Sequence, residues 1–285
     1  MKILVTGATG FTGRHFIDAA LKSGHHVHAL RAGLGQPEEL RTEVAQAAPE
    51  AVVHLAAISF VAHADTSALY AVNTVGTTHL LEAVAALTVA PRCVLLASSA
   101  NVYGNCGHSP IAEHEPPAPV NHYAMSKLAM EHMARTYADR LPIVITRPFN
   151  YTGPGQASQF VIPKLVDHYV RKTEHVELGN IHVEREFNDV RMVCDAYLAL
   201  LEKGVAGEVY NICTGQPYTL GQVRDTLSTL TGHRLSVRVN PQFVRANEVH
   251  RLCGDASKLR QATGIDTTCY TLDATLQNML AHAGA

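Results

Sequence analysis

The strongest constraint on the fold stands at the start of the chain, where an apolar run, Lys2 to Thr6, passes directly into the glycine turn TGATGFTG and then into a helical pattern from Gly13 to Lys22. Gly7, Gly10 and Gly13 fall where a strand-to-helix turn must let backbone approach a ligand closely. The helix N-terminus just beyond offers N–H groups and a positive dipole end to a pyrophosphate. A strand closed by such a turn belongs to a βαβ unit, which commits the following residues to alternate strand and helix. Strand-like runs at His26 to Leu30, Ala51 to Leu55, Arg92 to Ala97 and Ile143 to Thr146 indeed alternate with helical patterns at Pro37 to Ala47, Thr66 to Ala86 and Tyr123 to Asp139. The expected fold is α/β, a doubly wound parallel Rossmann sheet with a smaller, interleaved C-terminal substrate lobe.

After Arg147 the texture changes to PFNYTGPGQ, whose prolines and glycines interrupt regular structure. A helical MVCDAYLALLEKG and a strand-like EVYNICTG then read as a return to the sheet, and Leu220 to Thr231 reads as a helix of the lobe. The organisation expected is a dinucleotide-binding region at 1–150 with a return around 188–214, and a substrate lobe from 151–187 and 215–285. The connection from Arg31 to Ala51 is short, so the third strand is expected to be abbreviated.

Composition narrows the classes of function. The formal net charge of −2 supplies no broad positive field for nucleic acid, so an anionic substrate must be held by a few local arginines. No run reaches the roughly 18 apolar residues of a membrane span. The first strand starts at the N-terminus, where a signal peptide would need a charged region and an apolar stretch, so a cytoplasmic location is expected. Cys93, Cys106, Cys194, Cys213, Cys253 and Cys269 are scattered without a CxxC pair, and read as reduced thiols with no metal site.

Tyr123 and Lys127 lie four residues apart in YAMSK, on one face of one helix. A tyrosine with a pKa near 10 is a poor acid or base at neutral pH, and a neighbouring ammonium is expected to lower that value. Ser99, in SSANVYG after a strand, can hydrogen-bond the reacting oxygen. These three are the expected catalytic residues.

In order, TGATGFTG, VVHLAA, AVNTVGTTHLLEA, SSANVYG, YAMSK and RPFNYTGPG make the whole chain resemble the extended short-chain dehydrogenases of the nucleotide-sugar epimerase, dehydratase and reductase group. The resemblance implies a dinucleotide held by Gly7, Gly10, Phe11, Thr12, Gly13, Leu55, Ala56 and Ala57, with Tyr123 and Lys127 at its nicotinamide end. It implies a nucleotide-diphosphate sugar as substrate, with Ser99 at the reacting sugar oxygen, Asn150 at the sugar phosphate, Arg185 and Arg245 at the diphosphate and Glu248 at the nucleotide ribose. A homodimer is implied as well, through the helix that follows Asn73 and the Tyr123 helix. Within the group, the chain looks most like the GDP-4-keto-6-deoxy-mannose reductases.

Three reactions share this scaffold. Dehydratases need acidic residues just after the active-site serine or threonine, where this chain has Ala100 and Asn101. Epimerases usually retain NAD(H), for which an acidic residue is expected at the end of the second strand. Arg31 stands there instead and can pair with a 2′-phosphate, favouring exchangeable NADP(H) and net reduction of a 4-keto sugar. A C4 epimerase using NAD(H) is the alternative enzyme, and an NADP(H)-binding regulatory protein the alternative outside catalysis.

Overall fold

A computed structural model describes residues 1–60, 65–243 and 249–283. Its centre is a six-stranded parallel sheet built from β1 (Lys2–Thr6), β2 (His26–Ala29), β3 (Ala51–His54), β4 (Cys93–Ala97), β5 (Ile143–Pro148) and the strand Val209–Ile212. Across the sheet the order is Val209–Ile212, β5, β4, β3, β1, β2, with every neighbouring pair parallel. The central strands are continuous apolar runs because both of their faces are covered by helices. Ile3, Val5, Val53 and Leu95 meet Phe16 and Ala20 of α1 (Phe11–Lys22) and Val193, Tyr197 and Leu200 of the helix Val190–Lys203. The alternate residues Leu4, Val52, Val94 and Leu96 meet Leu40 and Val44 of α2 (Pro37–Ala47), followed around that face by Leu80, Leu81, Met130 and Ala134.

Four expected elements differ in detail. The strand expected in shortened form between Arg31 and Ala51 is absent among the described residues: β2 is the sheet's edge, and its only partner there is β1. The chain passes from β2 through α2 to β3 on the far side of β1, and residues 30–50 hold that one crossover helix with no room for a further strand and its own crossover of about a dozen or more residues. The helix expected over Thr66 to Ala86 is α3 (Thr66–Tyr70) and α4 (Thr77–Ala85) joined by a π-helical segment, Ala71–Gly76. The first helix begins at Phe11, so Gly13 lies inside it. The Tyr123 helix, α5, covers His122–Arg135, with Asn121 as its N-cap.

The strand Val209–Ile212 does join the sheet beside β5, after a helix at Val190–Lys203. A second core gathers Ile162, Leu165, Tyr169, Phe187, Leu227 and Leu276 around the helices Val161–Val170, Leu220–Thr231 and Leu272–Ala281. Between the two cores, Tyr103, Ile111, Phe149, Cys213 and Leu252 form a third cluster at the C-terminal end of the sheet. That places a cleft over the strand ends, where open α/β sheets bind ligands. Among the described residues no helix is long and apolar enough to cross a membrane.

Candidate active site

One wall of the cleft is the turn after β1. Gly7 has φ of +68°, and a Cβ added to it would lie 2.7 Å from the Ala56 nitrogen, so glycine is required both by conformation and by the approach of the next strand's loop. A Cβ on Gly13 would overlap the Gly7 carbonyl oxygen, which lets α1 start tight against the turn. Thr6 Oγ1 accepts from the N–H groups of Leu55 and Ala56 at 3.2 and 3.1 Å, fixing the backbone that faces the turn. Thr12 Oγ1 lies 2.7 Å from the Tyr151 hydroxyl, and the Tyr151 ring stacks on Phe11 with centroids 6.1 Å apart. Phe11, Thr12 and the segment after β5 are thereby tied together at the helix N-terminus.

Beside this turn a cavity of about 380 Å³ is lined by Gly7, Leu30, Ala32, Leu34, Ala56 and Val72. Its apolar sides and glycine floor suit an adenine with its pyrophosphate on the α1 N-terminus, so the residues present fit a dinucleotide. Arg31 itself lines a separate open groove of about 870 Å³ between β2 and α2. The Glu43 carboxylate accepts from the Arg31 and Ala32 N–H groups, at 3.0 Å and 2.7 Å, and so fixes the turn that presents the arginine. The side chain is exposed, and among the described residues no ion pair involves it.

Behind the cleft, His54 is buried between two hydroxyls, Nδ1 at 2.7 Å from Thr6 Oγ1 and Nε2 at 2.8 Å from Thr77 Oγ1. Thr77 spends its own proton on the Asn73 carbonyl, so Nε2 is the donor and the ring is the neutral Nε2–H tautomer. Burial, reinforced by the Lys127 charge, pushes the imidazole down to about 3, in keeping with that neutral form. Asn73, in the π-helical segment, accepts from the Ile58 N–H and donates to the Ile58 carbonyl and to Ser126 Oγ. It thus joins the loop after β3 to α5.

The three expected catalytic residues converge at the C-terminal end of β4. Ser99 is the N-cap of the 3-10 helix Ala100–Tyr103, its Oγ accepting from both Asn101 nitrogens, and it is 5% exposed. Tyr123 and Lys127 are 7% and 4% exposed, and Lys127 Nζ donates to the Ala97 carbonyl at 2.8 Å. Burial pushes the Lys127 ammonium down to about 8, against the Glu131 carboxylate, which holds it up.

For Tyr123 the direction is opposite to the one expected from sequence. Burial raises the phenol and a hydrogen bond with Ser99 only partly offsets it, while Lys127 spends a proton on Ala97 rather than on a phenolate. The resting tyrosine is thus a buried neutral acid, a state suited to giving a proton rather than taking one.

Sequence reasoning missed the charges that support Lys127. Glu131, one turn further along α5, is fully buried and receives Arg147 Nε and Nη2 at 3.0 and 2.7 Å and Ser98 Oγ at 2.5 Å. Arg147 lies over the Tyr103 ring, 4.8 Å from its centroid, and Tyr103 donates to Asn211 Oδ1 at 2.7 Å. The available signal was the glutamate at the next turn of the YAMSK helix. Tyr151 was also missed as a partner of Thr12, although it stands inside the quoted RPFNYTGPG.

On the substrate side, Asn150 is exposed at the bend after β5. Arg185, half-buried on the strand Glu184–Glu186, donates to the carbonyls of Glu184, Val249 and His250. Arg185 therefore stands beside Val249 and His250, and the expected Arg245 and Glu248 lie outside the described residues. Next to Arg185, the buried Glu186 accepts from the N–H groups of Thr214, Gly215 and Gly254, joining three segments under the lobe.

A dinucleotide-shaped cleft with a serine, tyrosine and lysine at its inner end defines an NAD(P)-dependent oxidoreductase. The chain belongs to the NAD dependent epimerase/dehydratase family, which it matches over residues 3–213. It is 36% identical to a GDP-6-deoxy-D-talose 4-dehydrogenase from Aggregatibacter actinomycetemcomitans, over 98% of this chain and 97% of that one. It is 34% identical to a GDP-6-deoxy-D-mannose reductase from Pseudomonas aeruginosa, over 92% and 91% of the two chains. The solved structure of RMD from Pseudomonas aeruginosa complexed with NADPH superposes with a TM-score of 0.91 at 32% identity, covering 99% of this chain and 98% of that one.

Proposed function

We propose that the chain reduces the 4-keto group of a nucleotide-diphospho-4-keto-6-deoxy-hexose, foremost GDP-4-keto-6-deoxy-mannose, with NADP(H). The observation that carries the choice of reaction is the pair beside Ser99. Ala100 and Asn101 continue the 3-10 helix with no side chain able to exchange protons, whereas elimination of water needs an acid and a base there. The two relatives named for redox chemistry on GDP-6-deoxy sugars support the substrate class.

Gly7, Gly10, Phe11, Thr12, Gly13, Leu55, Ala56 and Ala57 hold the dinucleotide in this reading. Bound there, the nicotinamide supplies hydride chemistry at the sugar's C4 carbon. Tyr123 donates the proton to the forming alkoxide, Ser99 hydrogen-bonds the same oxygen, and Lys127 orients the nicotinamide ribose. Asn150 and Arg185, with Arg245 and Glu248, bind the nucleotide sugar, and the lobe of 151–187 and 215–285 carries most of those contacts.

Arg31 separates reductase from epimerase. It stands between Leu30 and Ala32, both of which line the adenine-side cavity, and its guanidinium is unpaired among the described residues, which supports reading it as the partner of a 2′-phosphate. NADPH is expected to bind more tightly than NADH by roughly 1.5 to 3 kcal/mol, about ten- to a hundredfold, and Arg31→Asp is expected to invert the ratio. Titrating both proteins with both reduced cofactors measures it. A ratio that favours NADH, or that does not move on substitution, would leave the NAD(H) epimerase as the better reading.

A homodimer formed through the π-helical segment that holds Asn73 and through α5 is part of the same reading. Thr74 donates to the Ser126 carbonyl at 3.0 Å, and beside this seam Val75 and Met125 leave apolar side chains 49% and 43% exposed. A second copy would bury both. Sedimentation should give a dimer for the wild type and a monomer for Met125→Glu; a monomeric wild type at micromolar concentration contradicts the assignment.

A further inference from the structure

The loop between the 3-10 helix and α5 carries a cluster of metal-ligating side chains that the proposed reaction leaves unused. The ligand atoms of Cys106, His108 and Glu115 all lie within 4.8 Å of one another. His108 Nε2 is 2.6 Å from Glu115 Oε1, and the Cys106 thiol reaches Glu115 Oε2 at 4.0 Å. The exposed His114 lies near the same carboxylate, its Nε2 3.7 Å from Oε1. A thiol, an imidazole and a carboxylate therefore converge on one point, with a second, exposed imidazole beside the carboxylate.

The loop's middle is pinned, so the two limbs that bear these groups are held facing each other. Ile111 donates to the Cys253 carbonyl at 2.8 Å and accepts from the Asp255 N–H at 2.9 Å. Glu113 Oε1 accepts from the Asn211 N–H at 2.8 Å, and Arg251 Nε donates to Ser109 Oγ at 3.0 Å. Cys106 and His108 lie before this anchor, and His114 and Glu115 at its end.

We propose that Cys106, His108 and Glu115 bind one Zn²⁺ as a structural clip on this loop, the exposed His114 side chain turning in as fourth ligand. The donor set decides the metal: a thiolate with imidazoles suits Zn²⁺, whereas Mg²⁺ and Ca²⁺ take oxygen donors. Tetrahedral Zn²⁺, with bonds of about 2.0 to 2.3 Å, sets its ligand atoms roughly 3.3 to 3.8 Å apart. Reaching that arrangement requires the His108–Glu115 contact to open and the Cys106–Glu115 contact to close, each by less than about 1.5 Å. His108 is largely exposed, which gives the ion an entry path. On binding, the Cys106 thiol gives its proton to solvent and the thiolate bonds the metal, with no redox change.

The test is a titration of the full chain, stripped with a chelator, first with Co²⁺ and then with Zn²⁺. The wild type is expected to develop a thiolate-to-cobalt absorption band that saturates at one equivalent, is abolished by one equivalent of Zn²⁺, and accompanies a rise in melting temperature with Zn²⁺. Cys106→Ser should lose the band, and His108→Ala should weaken Zn²⁺ binding at least about tenfold. Cys269→Ser, which removes the exposed cysteine elsewhere, should change neither. No band in the wild type overturns the proposal, as does a band that survives Cys106→Ser or disappears with Cys269→Ser. Should Cys106→Ser fold poorly, His108→Ala and Glu115→Gln decide the matter: wild-type Zn²⁺ affinity in both excludes the site.

Discussion

Tyr123→Phe is expected to lower turnover by roughly a hundredfold or more while dinucleotide affinity stays at the wild-type level, the scale for losing a positioned proton donor. The substitution keeps the ring, which is 7% exposed and packed at the end of β4, and removes only the hydroxyl that Ser99 bonds. Burial keeps that hydroxyl protonated, so what the variant loses is an acid. The loss should therefore fall on kcat rather than on KM, because the proton moves only as charge develops on the sugar oxygen. Steady-state kinetics with a fluorescence titration of the reduced cofactor separates the two. Wild-type turnover in the variant would place the acid elsewhere.

Glu131→Gln should produce the largest loss of stability, about 3 to 5 kcal/mol by urea denaturation, the range for leaving one member of a buried ion pair alone. Glu131 is fully buried and Arg147 is 3% exposed, so solvent cannot take over the lost partner. The same change should alter the pH profile. Lys127 stands at about 8 because burial lowers it and the Glu131 charge raises it. Without that charge the ammonium releases its proton at lower pH. The alkaline limb of activity, where the charged lysine is lost as pH rises, should therefore move toward acid. A merely structural role predicts a less stable protein with an unmoved limb. Unchanged stability together with an unmoved limb would remove Glu131 from the site.

Elements whose signals are local were the ones legible in the sequence. β1 and α2 begin and end as read, the first as an apolar run cut off by the Gly7 turn and the second opened by Pro37 at its first position. The helix Leu220–Thr231 also has the limits read for it, set by a Thr219–Gln222 capping box and by Gly232 at φ of +68°. The π-helical segment carries no such mark. It follows from Asn73 bonding Ile58 and Ser126, partners that only the folded chain brings together. The spacing of Glu131 after Lys127 was legible, but its pairing with Arg147 was not, since Arg147 comes from a strand that only the folded chain brings alongside. The direction of the Tyr123 shift depended on how deeply the helix is buried and on where Lys127 sends its proton, neither of which a spacing of four residues contains.

Net reduction is tested most directly by mixing the purified protein with GDP-4-keto-6-deoxy-mannose and either NADPH or NADH, following the reduced nicotinamide by absorbance and the sugar by NMR. The expected result is consumption of one NADPH for each 4-keto sugar converted to a C4 alcohol, with NADH much slower. A nucleotide sugar whose C4 configuration changes with no net loss of reduced cofactor would contradict it and make the protein an epimerase.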